Sequence, residues 1–281
     1  MEPLVTTQWL ADELGASDLV VLDASSHLPD AGRDAAAEYA AAHIPGARFL
    51  RLATLTDPDS PVPAAIPTPA QFAERMGLLG VAPGMRVVVY DDSYVKTAAR
   101  AWFIMRLRGL ADVAVLDGGL GKWRSEGRAL EAGDALFAPS SFSPTGAAGE
   151  VRSKAQMLAN LTSRAEQVVD ARGPGRFTGD EADFRPEVAP GHIPDARNVP
   201  YDRVLNLDGT YRGPAEIRAA FTAAGVDLAR PLAATCGGGV TAAVLLFALY
   251  LAGKHDVALY DGSWAEWGTD PATPKQLGPA Q

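Results

Sequence analysis

The chain has 281 residues, 47% of them hydrophobic, a net charge of −9 and a single cysteine. Its length suits one large or two medium domains with ample core. The acidic balance excludes a general nucleic-acid or anionic-membrane surface, which needs a basic field, and one cysteine excludes an intrachain disulfide framework and a thiolate-rich zinc site.

The first nine residues contain no basic segment leading into an apolar one, so no signal peptide is expected. A helix is predicted over 7–14 and a buried, β-branched strand over 19–23. Five prolines between positions 57 and 69 predict an extended, stiff segment lying over a surface, with no strand or helix of its own. A helix over 69–79, a strand over 86–90, a helix over 97–107 and a strand over 114–116 follow. Residues 138–149, rich in small and turn-forming types, read as a linker. Beyond it come a helix over 153–161, a strand over 167–170, a helix over 213–224, a strand over 232–235, a helix over 241–251 and a strand over 257–260. The most apolar stretch, 242–252, is too short to span a bilayer. A free cysteine suits a reducing compartment, so the cytoplasm is the expected location.

The chain is also written twice. Val20-Val-Leu-Asp-Ala recurs as Val168-Val-Asp-Ala-Arg, and Ala42-His-Ile-Pro-Gly-Ala as Gly191-His-Ile-Pro-Asp-Ala. Thr97-Ala-Ala recurs as Thr241-Ala-Ala, and Leu116-Asp-Gly-Gly with Trp123 as Tyr260-Asp-Gly-Ser with Trp267. Units of this size are duplicated domains rather than solenoid repeats. Short apolar strands alternating with helices predict an α/β fold in each half, a mainly parallel sheet with helices on both faces. Aligning Thr97 with Thr241 sets Asp92 opposite Cys236, in a loop of equal length. His43 and His192 occur in both halves and read as turn-forming, Asp170 and Arg172 as orienting loops, and Trp264 and Trp267 as core or cleft wall.

Cys236 lies between the strand at 232–235 and the helix at 241–251, followed by three glycines. Glycines permit a tight turn with converging N–H groups, and the helix adds the positive end of its dipole. Both stabilise negative charge on a thiol sulfur, which makes Cys236 a candidate nucleophile. Two chemistries use a thiolate in such a cradle. Cysteine phosphatases need an arginine after five further residues to clamp phosphate. Here that position is Ala242, and neither arginine nor lysine occurs between Gly237 and Lys254. The other chemistry is sulfur transfer.

The loop Cys236-Gly-Gly-Gly-Val-Thr241, the block Gly191-His-Ile-Pro-Asp-Ala-Arg-Asn-Val-Pro-Tyr201 and the run Tyr260-Asp-Gly-Ser-Trp-Ala-Glu-Trp267, with their first-half counterparts, closely resemble the tandem-domain rhodanese family of thiosulfate and 3-mercaptopyruvate sulfurtransferases. The resemblance covers nearly the whole chain. It implies two duplicated rhodanese-like domains, a non-catalytic one over 1–137 and a catalytic one over 150–281, joined by 138–149. It implies transfer of a sulfane sulfur from a small anionic donor, thiosulfate or 3-mercaptopyruvate, through a persulfide on Cys236. The N–H groups of Gly237, Gly238, Gly239, Val240 and Thr241 would hold that persulfide, with no metal and no organic cofactor. Arg176 matches the family's substrate-binding arginine, and Arg185 a second arginine of the mercaptopyruvate branch. The implied acceptors are cyanide, a thiol or a thioredoxin-like protein, with neither nucleic acid nor membrane as a partner. The alternative is a non-catalytic persulfide carrier that delivers sulfur with the same loop. Gly238 replaces the loop serine or threonine of the mercaptopyruvate branch, while Ala53 and Ala64 align with the aspartate and histidine of its proton relay. The basic loop residues of thiosulfate enzymes are missing too, so the donor stays open between the two.

Overall fold

A computed structural model describes residues 1–145 and 150–280, and residues 146–149 of the expected linker lie outside that description. The chain divides into two compact units. The first comprises Met1–Pro58, Ile66–Ala147 and Leu207–Tyr211, and the second Asp59–Ala65, Ala148–Asn206 and Arg212–Gln281. Part of the Pro-rich segment therefore belongs with the second unit, and it carries no helix or strand, as its composition predicts.

The first unit runs β1 (Leu4–Val5), α1 (Thr7–Glu13), β2 (Leu19–Asp23), α2 (Ala35–Ala41), β3 (Arg48–Phe49), α3 (Pro69–Leu78), β4 (Arg86–Tyr90), α4 (Thr97–Leu107), β5 (Val113–Leu116) and α5 (Gly119–Ser125). Its sheet has the order β1-β5-β4-β2-β3, and every pairing is parallel. The second unit repeats the plan with β6 (Val151–Arg152), α6 (Lys154–Ser163), β7 (Gln167–Asp170), α7 (Pro174–Thr178), β8 (Arg197–Asn198), α8 (Pro214–Ala223), β9 (Leu232–Thr235), α9 (Val240–Leu251), β10 (Val257–Tyr260) and α10 (Ser263–Trp267). Its sheet, β6-β10-β9-β7-β8, is parallel throughout. These are the α/β domains that the alternation of elements predicts.

Burial explains why the central strands are the legible ones. The four residues of β9 and of β10 are all buried, so these strands read as short unbroken apolar runs rather than as alternating ones. The helix α9 is buried over residues 242–249, apolar all round, as a helix enclosed by its own domain must be. Each leucine enclosed there contributes about 1.5–3 kcal/mol by leaving water. Among the described residues no helix is long and apolar enough to cross a membrane.

The duplicated His-Ile-Pro blocks have a common physical role. His43 N donates to Glu131 O and His192 N to Gln276 O, each at 2.9 Å. The His43 ring stacks on Tyr39 with centroids 4.1 Å apart, and the His192 ring stacks on Phe177 at 3.7 Å. Both imidazoles are buried and bond a backbone carbonyl through Nδ1, to Tyr39 O and Phe177 O. They pin a returning loop in each half, which fits their turn-forming reading.

Strand order places the functional region. In the second sheet β8 lies on one side of β7, while β9 and β10 lie on the other, so the chain reverses direction between β7 and β9. Ligands of open parallel sheets bind at such a switch point, beyond the carboxyl ends of the strands. Ala171 N donates to Thr235 O at 2.9 Å across that switch point, one residue short of Cys236.

Candidate active site

Cys236 follows β9 directly and is 2% exposed. Its loop, residues 236–239, ends at Gly239, whose φ of +79° is left-handed and costs glycine nothing. Val240 and Thr241 are the first two residues of α9, so their N–H groups have no intrahelical acceptor. The loop's carbonyls are tied from below by α10. Trp264 N donates to Cys236 O and Ala265 N to Gly237 O, each at 2.9 Å.

Ser263 completes that clamp. Its Oγ accepts from Cys236 N at 3.1 Å and donates to Tyr260 O at 2.9 Å. It is fully buried and holds φ of +50°, an unfavourable conformation for a residue with a side chain. These hydrogen bonds help hold the strained residue in place. Sequence reading did not single it out, although it sits in the quoted run after Tyr260.

The predicted arginines meet at the same loop. Arg176 lies on α7, and Arg185 lies in the connection between α7 and β8. A Cβ placed on Gly237 would be 3.6 Å from Arg176 Nη2 and 3.9 Å from Arg185 Nη2. Arg185 Nη2 also donates to Gly237 O at 3.3 Å. A Cβ on Gly238 would meet nothing within 4 Å, so that position faces open space.

Asp183 joins the two arginines and was missed from sequence. Its carboxylate accepts from Arg185 Nε at 2.8 Å, Arg185 Nη2 at 3.0 Å and Arg185 N at 3.1 Å. Arg176 Nη2 donates to the same carboxylate. The Asp183 side chain is 3% exposed, against 23% for either arginine. Burial pushes its carboxyl up, but the Arg185 hydrogen bonds and both guanidinium charges outweigh that and hold it at about 2. Phe184 lies under both cations, with guanidinium carbons 5.7 and 4.8 Å from its ring centre. The visible signal was an aspartate two residues before Arg185, flanked by an exposed aromatic.

Behind this layer, Arg172 and Asp170 form a buried ion pair at 2.7 Å. Arg172 Nη2 also donates to Gly191 O at 2.8 Å and Nη1 to Arg176 O at 3.2 Å. Its guanidinium carbon lies 4.6 Å from the Trp264 ring centre, and Trp264 Nε1 donates to Ala189 O at 2.9 Å. These groups fix the loop that carries Arg176 and Arg185, consistent with their orienting role.

The strand register corrects one alignment. Asp23 pairs with Tyr90, and Asp170 with Thr235. Leu120 N donates to Asp91 O at 3.0 Å, as Trp264 N does to Cys236 O. Asp91, not Asp92, therefore occupies the place of Cys236, and Asp92 that of Gly237. The loops differ in length as well, with residues 91–96 before α4 against 236–239 before α9. Anchoring on the helix threonines slipped the frame by one residue.

Comparison with known proteins agrees with this architecture. The family model for the Rhodanese-like domain matches residues 6–126 and 153–270. The chain is 42% identical over 270 residues to human 3-mercaptopyruvate sulfurtransferase, covering 94% of this chain and 91% of the relative. It is 40% identical over 273 residues to bovine thiosulfate sulfurtransferase, with the same coverage. The crystal structure of SseA from Escherichia coli, described as a 3-mercaptopyruvate sulfotransferase of rhodanese fold, superposes with a TM-score of 0.85 at 34% identity, covering 94% of this chain and 99% of that one. With two matched domains and relatives of this closeness over nearly its full length, the chain belongs to the rhodanese family of sulfurtransferases.

Proposed function

We propose that this sulfurtransferase moves a sulfane sulfur from thiosulfate or 3-mercaptopyruvate to a thiophilic acceptor through a persulfide on Cys236. The thiolate attacks the donor's outer sulfur. The S–S bond of thiosulfate breaks and sulfite leaves with the electron pair, or the C–S bond of mercaptopyruvate breaks and pyruvate leaves after protonation. Cyanide, a small thiol or a thioredoxin-like protein then attacks the outer persulfide sulfur, and the Cys236 thiolate departs restored. Splitting the transfer in two lowers each barrier. Arg176 and Arg185 bind the donor's anionic oxygens beside Gly237. The N–H groups from Gly237 to Thr241 stabilise charge on sulfur in both states. No step calls for a metal or organic cofactor. The first domain, over residues 1–137, is non-catalytic, and the lone thiol suits a cytoplasmic setting.

One observation carries the reading. In the first unit the Asp91 carboxylate, standing in the place of Cys236, accepts from Ser93 N at 2.9 Å and Ala98 N at 2.7 Å. This loop architecture thus directs main-chain amides at the side chain in that position, against the cost of its burial. In the second unit the same position falls to whatever charge Cys236 carries.

The test is mass spectrometry followed by turnover. Incubation with either donor is expected to add one sulfur to the intact protein, removed by cyanide as thiocyanate, with Cys236→Ser taking up none. An adduct that survives in Cys236→Ser sinks the mechanism. An adduct that forms but never turns over with small acceptors identifies a carrier rather than an enzyme.

A further inference from the structure

We infer that Asp183 sets the charge of the donor this site accepts, by cancelling one of the two guanidinium charges so that the pocket completes itself with a singly charged anion. The inference rests on the donor site proposed above and narrows it to the class of 2-oxo-3-sulfanylcarboxylates, singly charged at neutral pH, over the doubly charged thiosulfate.

The two domains supply the argument. In the first unit Arg33 donates to Glu38 through Nε at 2.8 Å and Nη2 at 2.7 Å, as Arg185 does to Asp183. Arg33 Nη1 donates to Asp92 O at 3.0 Å, as Arg185 donates to the equivalent Gly237 O. Arg33 Nη2 also meets the Asp92 carboxylate at 2.9 Å, and Arg124 Nη1 meets it at 3.1 Å. His27 Nε2 lies 2.9 Å from Glu38. Two guanidiniums thus face two carboxylates, with the His27 ring beside Glu38.

In the second unit Arg185 takes the part of Arg33, Gly268 stands where Arg124 does, and the second guanidinium comes instead from Arg176 on α7. Two guanidiniums, Arg176 and Arg185, share Asp183, and among the described residues no other carboxylate pairs with them. Where Asp92 projects a carboxylate in the first unit, Gly237 has no side chain, and the space along its Cβ direction opens toward both arginines. Arg176 Nε is buried there without a hydrogen-bond partner among the described residues. The group absent by comparison is one carboxylate with one charge. Asp183 does not touch the donor in this scheme. It is a positioning residue that also fixes the net charge its arginines present.

A three-point charge series tests the inference. Gly237→Asp copies Asp92 and adds the missing charge, the parent lies in the middle, and Asp183→Asn removes the compensating one. The first readout is alkylation of Cys236 by anionic iodoacetate relative to neutral iodoacetamide. That ratio is expected to rise about fivefold or more at each step from Gly237→Asp to parent to Asp183→Asn. The second is the ratio of kcat/KM for thiosulfate to that for 3-mercaptopyruvate, expected to rise at least about fivefold in Asp183→Asn, with Asp183→Glu restoring the parent value. Alkylation ratios that stay flat across the series, or an Asp183→Glu variant that behaves like Asp183→Asn, overturn the inference. Should Asp183→Asn not fold, Asp183→Ser takes its place as the uncompensated end of the series. Should the parent turn over neither donor, the sulfur-transfer proposal fails while the alkylation series still judges Asp183.

Discussion

The two loops at residues 91–96 and 236–239 are built on one plan and do opposite things with charge. In the first, the anion is supplied from within, since Asp91 fills the amide cradle and Asp92 satisfies Arg33 and Arg124. In the second, Cys236 and Gly237 replace those two aspartates, leaving a thiol in place of one carboxylate and a glycine facing two arginines in place of the other. Even the clamp beneath is shared, with Gly119 at φ +58° matching Ser263 at φ +50°. A Cβ on Gly119 would come within 2.3 Å of Asp91 O, so glycine is required there, whereas Ser263 spends its side chain on the cysteine amide. The difference teaches that one copy of a duplicated loop can retain its skeleton while filling it with its own side chains.

The largest effect is expected from exchanging the two residues. Asp91→Cys combined with Cys236→Asp should lower thiocyanate formation by at least about 10³-fold, because the Asp92 carboxylate already occupies the arginines beside the transplanted thiol. Activity within tenfold of the parent would show that position in the loop, and not its surroundings, makes the nucleophile.

A smaller effect concerns pH. Burial pushes the Asp91 carboxyl from 3.8 up to about 6, against the pull of Lys96 and the amides of Ala98 and Ser93. A folded-state value above the unfolded one means stability present at low pH is lost as the group ionises. Relative to Asp91→Asn, the parent should lose about 2–3 kcal/mol between pH about 4 and about 6 and no more above it. Urea denaturation followed across that window checks this, and a level difference contradicts a buried carboxyl.

The smallest effect is at Gly238. Its Cβ direction is open, so Gly238→Ser should change stability by no more than about 0.5 kcal/mol. A melting shift of many degrees would show that the second loop is packed more tightly than the comparison allows.

Much of this was readable from residues alone, for physical reasons. The six central strands announced themselves because burial on both faces forces continuous apolar runs, and duplication doubled each signal. The edge strands β1, β3, β6 and β8 did not, since two residues display no period. Of the helices passed over, α2 carried a usable sign. Asp34 caps it by accepting from Ala36 N and Ala37 N, and an aspartate before an alanine run is a start signal. The candidate site residues were legible because Cys236 sits at a strand–helix junction and the arginines fit a family pattern, and the structure brings both arginines to the loop that follows the cysteine. Asp183 escaped because an acid beside cations looks like an ordinary surface pair, and only its 3% exposure reveals the shared role.

Solitude has its own consequence for Cys236. It is the only cysteine in the sequence, and the structure leaves it 2% exposed. A sulfur that captures an oxidant becomes a sulfenic acid, which is ordinarily rescued when a neighbouring thiol condenses with it. This chain has no such neighbour, so the repair of an oxidised sulfur must wait for a thiol from outside. Shielding therefore protects the residue twice over, by slowing the oxidant and by sparing a step that the protein cannot perform for itself.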